Sequence, residues 1–159
     1  MQKTDEYIAK RLKWKAGKNS LPTQHSFLFE SLPTENQNYY SELFKSQNIG
    51  IPVLVFTQPK NDKWTIIGTR KVVWGEYDKF ESLLISDIKE MRPQSLVEIS
   101  ATGKATKEQV KKAEWDELTI TTLYYEQFVI PAFKGSDFFA MWNILLMNWQ
   151  LNRKQKLED

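Results

Sequence analysis

The 159-residue chain contains no cysteine and only one histidine, His25. Disulfide bonds, thiolate catalysis and cysteine-ligated zinc or iron–sulfur sites are therefore excluded. No glycine-framed serine elbow accompanies His25, which disfavours a Ser–His–Asp relay. The ligand spacings of the zinc HExxH motif and of calcium loops do not occur either. We therefore predict a protein that is not an enzyme, with no catalytic residue, no metal site and no cofactor.

Glycine is also scarce, with six residues scattered along the chain. Neither the P-loop nor the dinucleotide-binding glycine pattern occurs, so no phosphate-cradling loop is predicted. No apolar run reaches the length of a signal-peptide core or a membrane span. The default expectation is a soluble cytoplasmic protein, bacterial in origin. The net charge of +2 is too small to indicate nucleic-acid binding by itself.

Aromatic residues, in contrast, make up 13% of the chain: six Trp, six Tyr and nine Phe. Large rings dominate both cores and interfaces, and the core is their commoner place. The length fits a single domain with a substantial core. Hydrophobic residues at 41% and charged residues at 26% exclude wholesale disorder.

Residues 1–50 are predicted to form a helical N-terminal extension. A first helix is expected over residues 4–16, capped by Thr4 and ended by Gly17, and a second over residues 35–46. The start of the chain is basic, because only Asp5 and Glu6 oppose its cations. These cations are Lys3, Lys10, Arg11, Lys13, Lys15 and Lys18. Such a leader can contact anionic lipid or nucleic acid, although a solvated helix is the commoner outcome.

From residue 51 the apolar pattern becomes that of strands. IPVLVFTQ and KWTIIGTRKVVWG flank the turn residues PKND, which predicts a hairpin. Gly68 within the second run indicates a bulge or a bend into another strand. After the polar turn EYDK, the segment FESLLISDIKEM predicts one long strand or two with a kink. SLVEISATG, residues 95–103, is a weaker strand candidate.

The last third is predicted to be a loop, two strands and a helix. Residues 103–116 are lysine-rich and are expected to form a loop with at most a helical turn. ELTITTLYYEQFVIPAF predicts two strands, since threonine and aromatic residues suit a pleated surface. An amphipathic helix is then predicted, with Ser136 at its N-cap position. Its apolar stripe consists of Phe138, Trp142, Leu145 and Trp149.

The segments WTIIGTRKVVW (Trp64 to Trp74) and LLISDIKEM (Leu83 to Met91) resemble the pattern of bacterial pleckstrin-homology-like (PH-like and GRAM-like) domains. Thr69 stands just before Arg70 in the first segment, and Ile88 and Met91 occupy the later apolar positions. The resemblance covers residues 51–151. It implies an α+β fold in which residues 51–159 form an antiparallel PH-like β-barrel closed by the C-terminal amphipathic helix.

The resemblance also implies a lipid-headgroup site. Eukaryotic members of the family hold phosphoinositides with basic residues near the first strand-to-strand loop. The matching cations here, taken as candidate anion or lipid contacts, are Lys60, Lys63, Arg70 and Lys71.

Three functions remain open from the sequence. The favoured one is a non-catalytic protein-interaction module that binds a protein partner at a sheet edge or beside the final helix, by strand addition or aromatic anchoring. A small bacterial immunity or regulatory protein fits this description. The first alternative is peripheral membrane or lipid-headgroup binding through the four cations and the basic leader. The second is a small-ligand-binding or enzymatic α+β domain. Nucleic acid is disfavoured, since no RNP-like motif occurs.

Overall fold

The computed structural model describes residues 2–153 and has the α+β architecture that the sequence predicts. The α-helices are α1 (Asp5–Lys18), α2 (Thr34–Leu43), α3 (Gln94–Thr102), the one-turn α4 (Lys107–Val110) and α5 (Ser136–Asn152). The strands are β1 (Ser26–Leu28), β2 (Pro52–Gln58), β3 (Lys63–Gly68), β4 (Lys71–Glu76), β5 (Lys79–Leu84), β6 (Ile88–Pro93), β7 (Glu117–Thr122) and β8 (Gln127–Pro131).

The strands form two antiparallel sheets. The first has the order β1-β2-β3-β4-β5 and the second the order β6-β7-β8. FESLLISDIKEM therefore supplies two strands, and a 3₁₀ turn over Ile85–Asp87 carries the chain from one sheet to the other. Within residues 2–153 the strands do not close into a barrel, so the predicted PH-like barrel is not confirmed. Residues 154–159 of the predicted unit 51–159 lie outside the described residues.

The predicted hairpin is confirmed, and its second run divides into β3 and β4. Gln58 at the end of β2 lies opposite Lys63 at the start of β3, so the PKND segment connects the two strands. Gly68 ends β3, where the chain bends towards β4. A Cβ atom on Gly68 would lie 2.5 Å from the carbonyl oxygen of Ile49, so this close backbone approach requires glycine.

The strand predicted over residues 95–103 is wrong, because this segment forms helix α3. Pro93 precedes the helix at the N-cap position. Gly103 ends it with a φ of 71°, the left-handed conformation typical of a helix C-terminus. A short apolar run does not distinguish the helical from the strand period, so the flanking Pro and Gly are the stronger signals here.

Residues 2–50 contribute directly to the core. Thr4 caps α1 as predicted, its side chain accepting a hydrogen bond from the Tyr7 backbone N–H, although the helix continues past Gly17 to Lys18. Ile8 and Leu12 are fully buried against α5 and β2. The predicted second helix is present as α2, and β1 extends the first sheet beside β2.

The five-stranded sheet separates two apolar clusters, because successive side chains of a strand point to opposite faces. On one face Leu54, Phe56 and Ile67 pack with α1, α5 and the second sheet. On the other face Val55 and Ile66 pack beneath α2. The helices α1 and α2 therefore lie on opposite sides of the same sheet.

Polar side chains of α5 bond the backbone at the end of β3. The Asn148 side-chain amide donates to the carbonyl oxygen of Gly68 at 2.9 Å. The Asn152 side-chain amide donates to the carbonyl oxygen of Thr69 at 2.9 Å. The Trp149 indole N–H donates to the carbonyl oxygen of Ile88 at 2.8 Å. In the predicted apolar stripe, Phe138 and Leu145 are fully buried, and Trp142 and Trp149 are partly buried against the same core. The predicted N-cap at Ser136 is wrong, because Ser136 is the first residue of α5 and Gly135 precedes it at the N-cap, without a side-chain hydrogen bond.

We predict that Asn148→Ala lowers the free energy of unfolding by about 1–3 kcal/mol, because it leaves the buried Gly68 carbonyl without its donor. Asn143→Ala is the matched control on the same helix. Asn143 is exposed and bonds only the surface Asn19 side chain among the hydrogen bonds of the described residues. The control should change stability by less than about 0.5 kcal/mol. Urea unfolding of both variants measures the difference, and equal midpoints would contradict this role of Asn148.

Candidate functional site

The four predicted basic residues lie as two pairs at opposite ends of β3. Lys60 is in the turn before the strand and Lys63 begins it, whereas Arg70 and Lys71 follow its other end. A strand of this length spans about 20 Å at roughly 3.3 Å per residue. The structure therefore does not bring the four cations together around one headgroup.

Two of the four cations already have acidic partners. Lys60 forms an ion pair with Asp116 at 2.9 Å. Arg70 donates to Asp5 at 2.7 Å and to the side-chain oxygen of Asn152 at 2.9 Å. Arg70 thereby ties the start of α1 and the end of α5 to the turn between β3 and β4, which is a structural use of its charge.

A concave surface lies instead beside α2, at the end of the sheet where the β2–β3 and β4–β5 turns meet. We call it the aromatic groove. It has a volume of about 430 Å³. Its lining residues are Tyr39, Tyr40, Thr57, Pro59, Asp62, Lys63, Trp64 and Tyr77.

The floor of the groove is formed by packed aromatic rings. Trp64 in β3 is 5% exposed, and the ring of Tyr40 meets it edge-on at 5.2 Å between centroids. Tyr39 packs edge-on against Tyr40 at 5.3 Å. Burial raises the pKa of the Tyr40 hydroxyl above its ordinary value, and the neighbouring Tyr39 adds to the increase. The hydroxyl therefore stays neutral, and Tyr40 acts as a hydrogen-bonding aromatic surface.

The opposite wall is the two-residue turn between β4 and β5. Tyr77 has a φ of 54°, a left-handed conformation that bulky residues rarely adopt. Its carbonyl oxygen accepts a hydrogen bond from the Trp64 indole at 3.2 Å, and its hydroxyl donates to Asp62 at 2.9 Å. This bond to the Asp62 carboxylate raises the pKa of Tyr77. Both bonds hold the ring at the edge of the groove.

The rims of the groove carry substantial exposed aromatic area. Tyr39 is 49% exposed and Tyr77 is 65% exposed, and both line the groove together with the buried Trp64. Asp62 and Lys63 place one charge of each sign at the same edge. The groove can therefore offer ring faces, hydroxyl groups and a carboxylate to an elongated ligand.

A neighbouring cleft of about 340 Å³ shares Lys63 with the groove and opens between the two sheets. Lys63, Glu76 and Lys79 lie side by side across β3, β4 and β5, so charges of alternating sign line one wall. Glu117 of β7 lies on the other wall. Burial raises the pKa of the Glu117 carboxyl, and Asp116 adds to the increase, whereas Lys63 and Lys60 oppose it.

His25 packs as part of the fold. Its ring stacks on Phe133 at 4.0 Å between centroids, and its carbonyl oxygen accepts hydrogen bonds from Thr57. Among the side chains that the structure describes, which are those of residues 2–153 without Glu108, no three His, Asp or Glu residues are placed to hold a metal ion. No helix in this part of the chain is both long and apolar enough to cross a bilayer.

Sequence reasoning did not identify the aromatic groove, because its residues come from α2 and two separate turns. Tyr77 did carry a local signal, because it is a large aromatic residue in the polar EYDK turn, where it is not expected to pack in the core. Tyr39 and Tyr40 gave none, since adjacent tyrosines on an amphipathic helix usually indicate core packing.

Comparisons with family models, curated proteins and solved structures found no match to this chain. The function proposed for the groove therefore rests on its own residues and geometry.

Glu117 gives a testable dependence of stability on pH. Its pKa is raised in the folded state, so the folded state loses stability as the pH rises from about 4 and the half-buried carboxyl ionises. We predict that Glu117→Gln is more stable than the wild type at about pH 7, and that the difference shrinks at about pH 3. Urea unfolding at both values measures it. If Glu117→Gln differed from the wild type by the same free energy of unfolding at both pH values, ionisation of Glu117 would not be the cause of the pH dependence.

Proposed function

We propose that the protein is a non-catalytic interaction module whose aromatic groove binds an extended segment of a partner protein. The observation that carries this proposal is the set of three tyrosines and one tryptophan around a single open concavity. Tyr39 and Tyr77 line this concavity together with the buried Trp64, and about half or more of each tyrosine is exposed and open to a ligand.

Tyrosine and tryptophan are the residues that most often dominate binding energy in interfaces, since they bury large areas with little loss of side-chain freedom. Aromatic-lined grooves also suit proline-containing extended segments, whose backbone is already ordered before binding. The Asp62 carboxylate at the rim favours a segment with a nearby basic residue.

The groove is not one of the two binding sites that the sequence favoured, which were a sheet edge and the surface beside the final helix. The apolar stripe of α5 packs into the core, Phe138 and Leu145 fully and Trp142 and Trp149 in part, so we place the binding site at the groove and not beside the final helix. A sheet edge stays open as a second mode of binding. On its outer side β5 has no strand partner within the described residues, and strand addition there would extend the first sheet.

The PH-like resemblance remains part of the proposal. Its support is the element order: β2 to β5 form consecutive antiparallel strands of one sheet, β6 to β8 form the second sheet, and α5 follows. In this interpretation β1 and α1 are additions to the PH-like core.

The two alternative functions, binding of a lipid headgroup and binding of a small ligand, have less structural support. Headgroup binding by Lys60, Lys63, Arg70 and Lys71 would have to use one pair at a time, given their separation along β3. A small ligand would fit the charged cleft that contains Lys63 and Glu117.

Selection of binders from a displayed library of random peptides tests the groove. We predict enriched peptides whose affinity falls about 5- to 30-fold in Tyr39→Ala, the loss expected when an aromatic anchor is truncated. The matched control is Tyr124→Ala, which removes a ring that is 68% exposed in the β7–β8 turn. If Tyr39→Ala and Tyr124→Ala bound the peptides with equal affinity, the groove would be ruled out as the binding site. Failure to enrich any peptide would rule it out as well.

Tyr77→Gly separates binding from stability. Glycine adopts a positive φ without strain, so this variant should show no fall in melting temperature. It also removes a wall of the groove, so the selected peptides should bind at least about fivefold more weakly. Thermal unfolding and peptide titration of the same preparation measure both quantities. Full-strength binding by a stable Tyr77→Gly protein would contradict the proposed site.

A further inference from the structure

Helix α1 has an exposed side that combines positive charge with aromatic rings. Its members, called here the outer face of α1, are Tyr7, Lys10, Arg11, Trp14 and Lys18. They recur at intervals of three or four residues and therefore follow one side of the helix. We propose that this face docks the protein on an anionic membrane surface.

The charge of α1 is unbalanced towards solvent. Asp5 points inward to the Arg70 guanidinium at 2.7 Å, and Lys13 is paired with Glu30 at 2.9 Å. With these pairs set aside, only Glu6 opposes the other four cations of the helix. Those cations are Lys10, Arg11, Lys15 and Lys18. An excess of positive charge is thus held on one helix of a protein whose net charge is only +2.

The aromatic residues of this face lie among those cations. Trp14 is 47% exposed and Tyr7 is 46% exposed. The Arg11 guanidinium lies 4.6 Å from the centroid of the Trp14 ring, and the Lys18 ammonium lies 5.6 Å from it. Tryptophan and tyrosine are enriched at the headgroup level of membranes, where one side of the ring is apolar and the other wet.

The opposite side of α1 is already used by the fold. Ile8 and Leu12 are fully buried in the core, so α1 cannot turn its apolar side to lipid. The helix therefore presents a rigid basic surface, and we expect peripheral attachment by charge with Trp14 and Tyr7 at headgroup depth. A convex face fits a bilayer plane better than it fits single-stranded nucleic acid, which is usually bound in a groove with stacking platforms.

This surface is independent of the aromatic groove. Ile8 of α1 belongs to the cluster on one face of the five-stranded sheet, whereas Tyr40 and Trp64 of the groove pack with the cluster on the other face. A protein docked through α1 therefore keeps its groove directed away from α1, where a partner can reach it.

Co-sedimentation of the full chain with phosphatidylcholine vesicles, and with vesicles that also contain phosphatidylserine, tests the proposal. We expect binding to the anionic vesicles and little to the neutral ones, with weakening as salt is raised. The triple variant Lys10→Gln, Arg11→Gln, Lys18→Gln should lower partitioning about fivefold for each cation removed, since each is worth about 1 kcal/mol near the surface. Trp14→Ala should weaken it further without altering net charge.

The matched control removes three exposed cations elsewhere, in Lys104→Gln, Lys107→Gln, Lys111→Gln. It changes net charge equally and should retain nearly all binding. If both triple variants lost the same amount of vesicle binding, the attraction would depend on net charge and not on α1, and the proposal would be overturned. Equal binding to neutral and anionic vesicles would overturn it too, as would displacement from vesicles by a single-stranded oligonucleotide that binds α1 more tightly. Peptide binding by the triple variant reports separately on the groove.

Discussion

The backbone carbonyls of Gly68 and Thr69 lie in the interior, and their hydrogen bonds come from the side-chain amides of Asn148 and Asn152. An unpaired buried carbonyl would cost about 1–3 kcal/mol, so these bonds fix α5 against the β3–β4 turn. Arg70 of the same turn bonds both Asp5 and Asn152. One turn thereby sets the positions of α1 and α5, and with them the helical layer over the first sheet.

The first sheet in turn separates the two proposed surfaces. Alternation of side chains along β2 and β3 supplies one apolar cluster beneath α2 and another beneath α1 and α5. The groove forms where α2 meets the strand turns, and the basic side of α1 forms on the far layer. Each of the two surfaces is therefore built on a different core cluster.

The proposed groove combines residues of the core with exposed residues. Its buried half, Trp64 and Tyr40, belongs to the core, whereas its exposed half includes Tyr77 in a left-handed conformation. A glycine would suit that turn better, so the ring is retained at some expense in backbone strain. An exposed aromatic residue in a strained turn is the kind of feature expected of a binding site rather than of a fold optimised for stability alone.

The sequence by itself determined the features that depend on neighbouring residues: the Thr4 cap of α1, the hairpin around PKND, the EYDK turn and the amphipathic α5. The α+β class followed from their order. Tertiary structure decided the rest. Residues 95–103 form a helix although their apolar pattern also suits a strand, and β5 and β6 separate into two sheets because the chain turns at Ile85–Asp87. Distance along the chain also concealed that Tyr39 and Tyr77 share one groove. Local propensity acts over a few residues, whereas a site is assembled by packing between elements that are far apart in the chain.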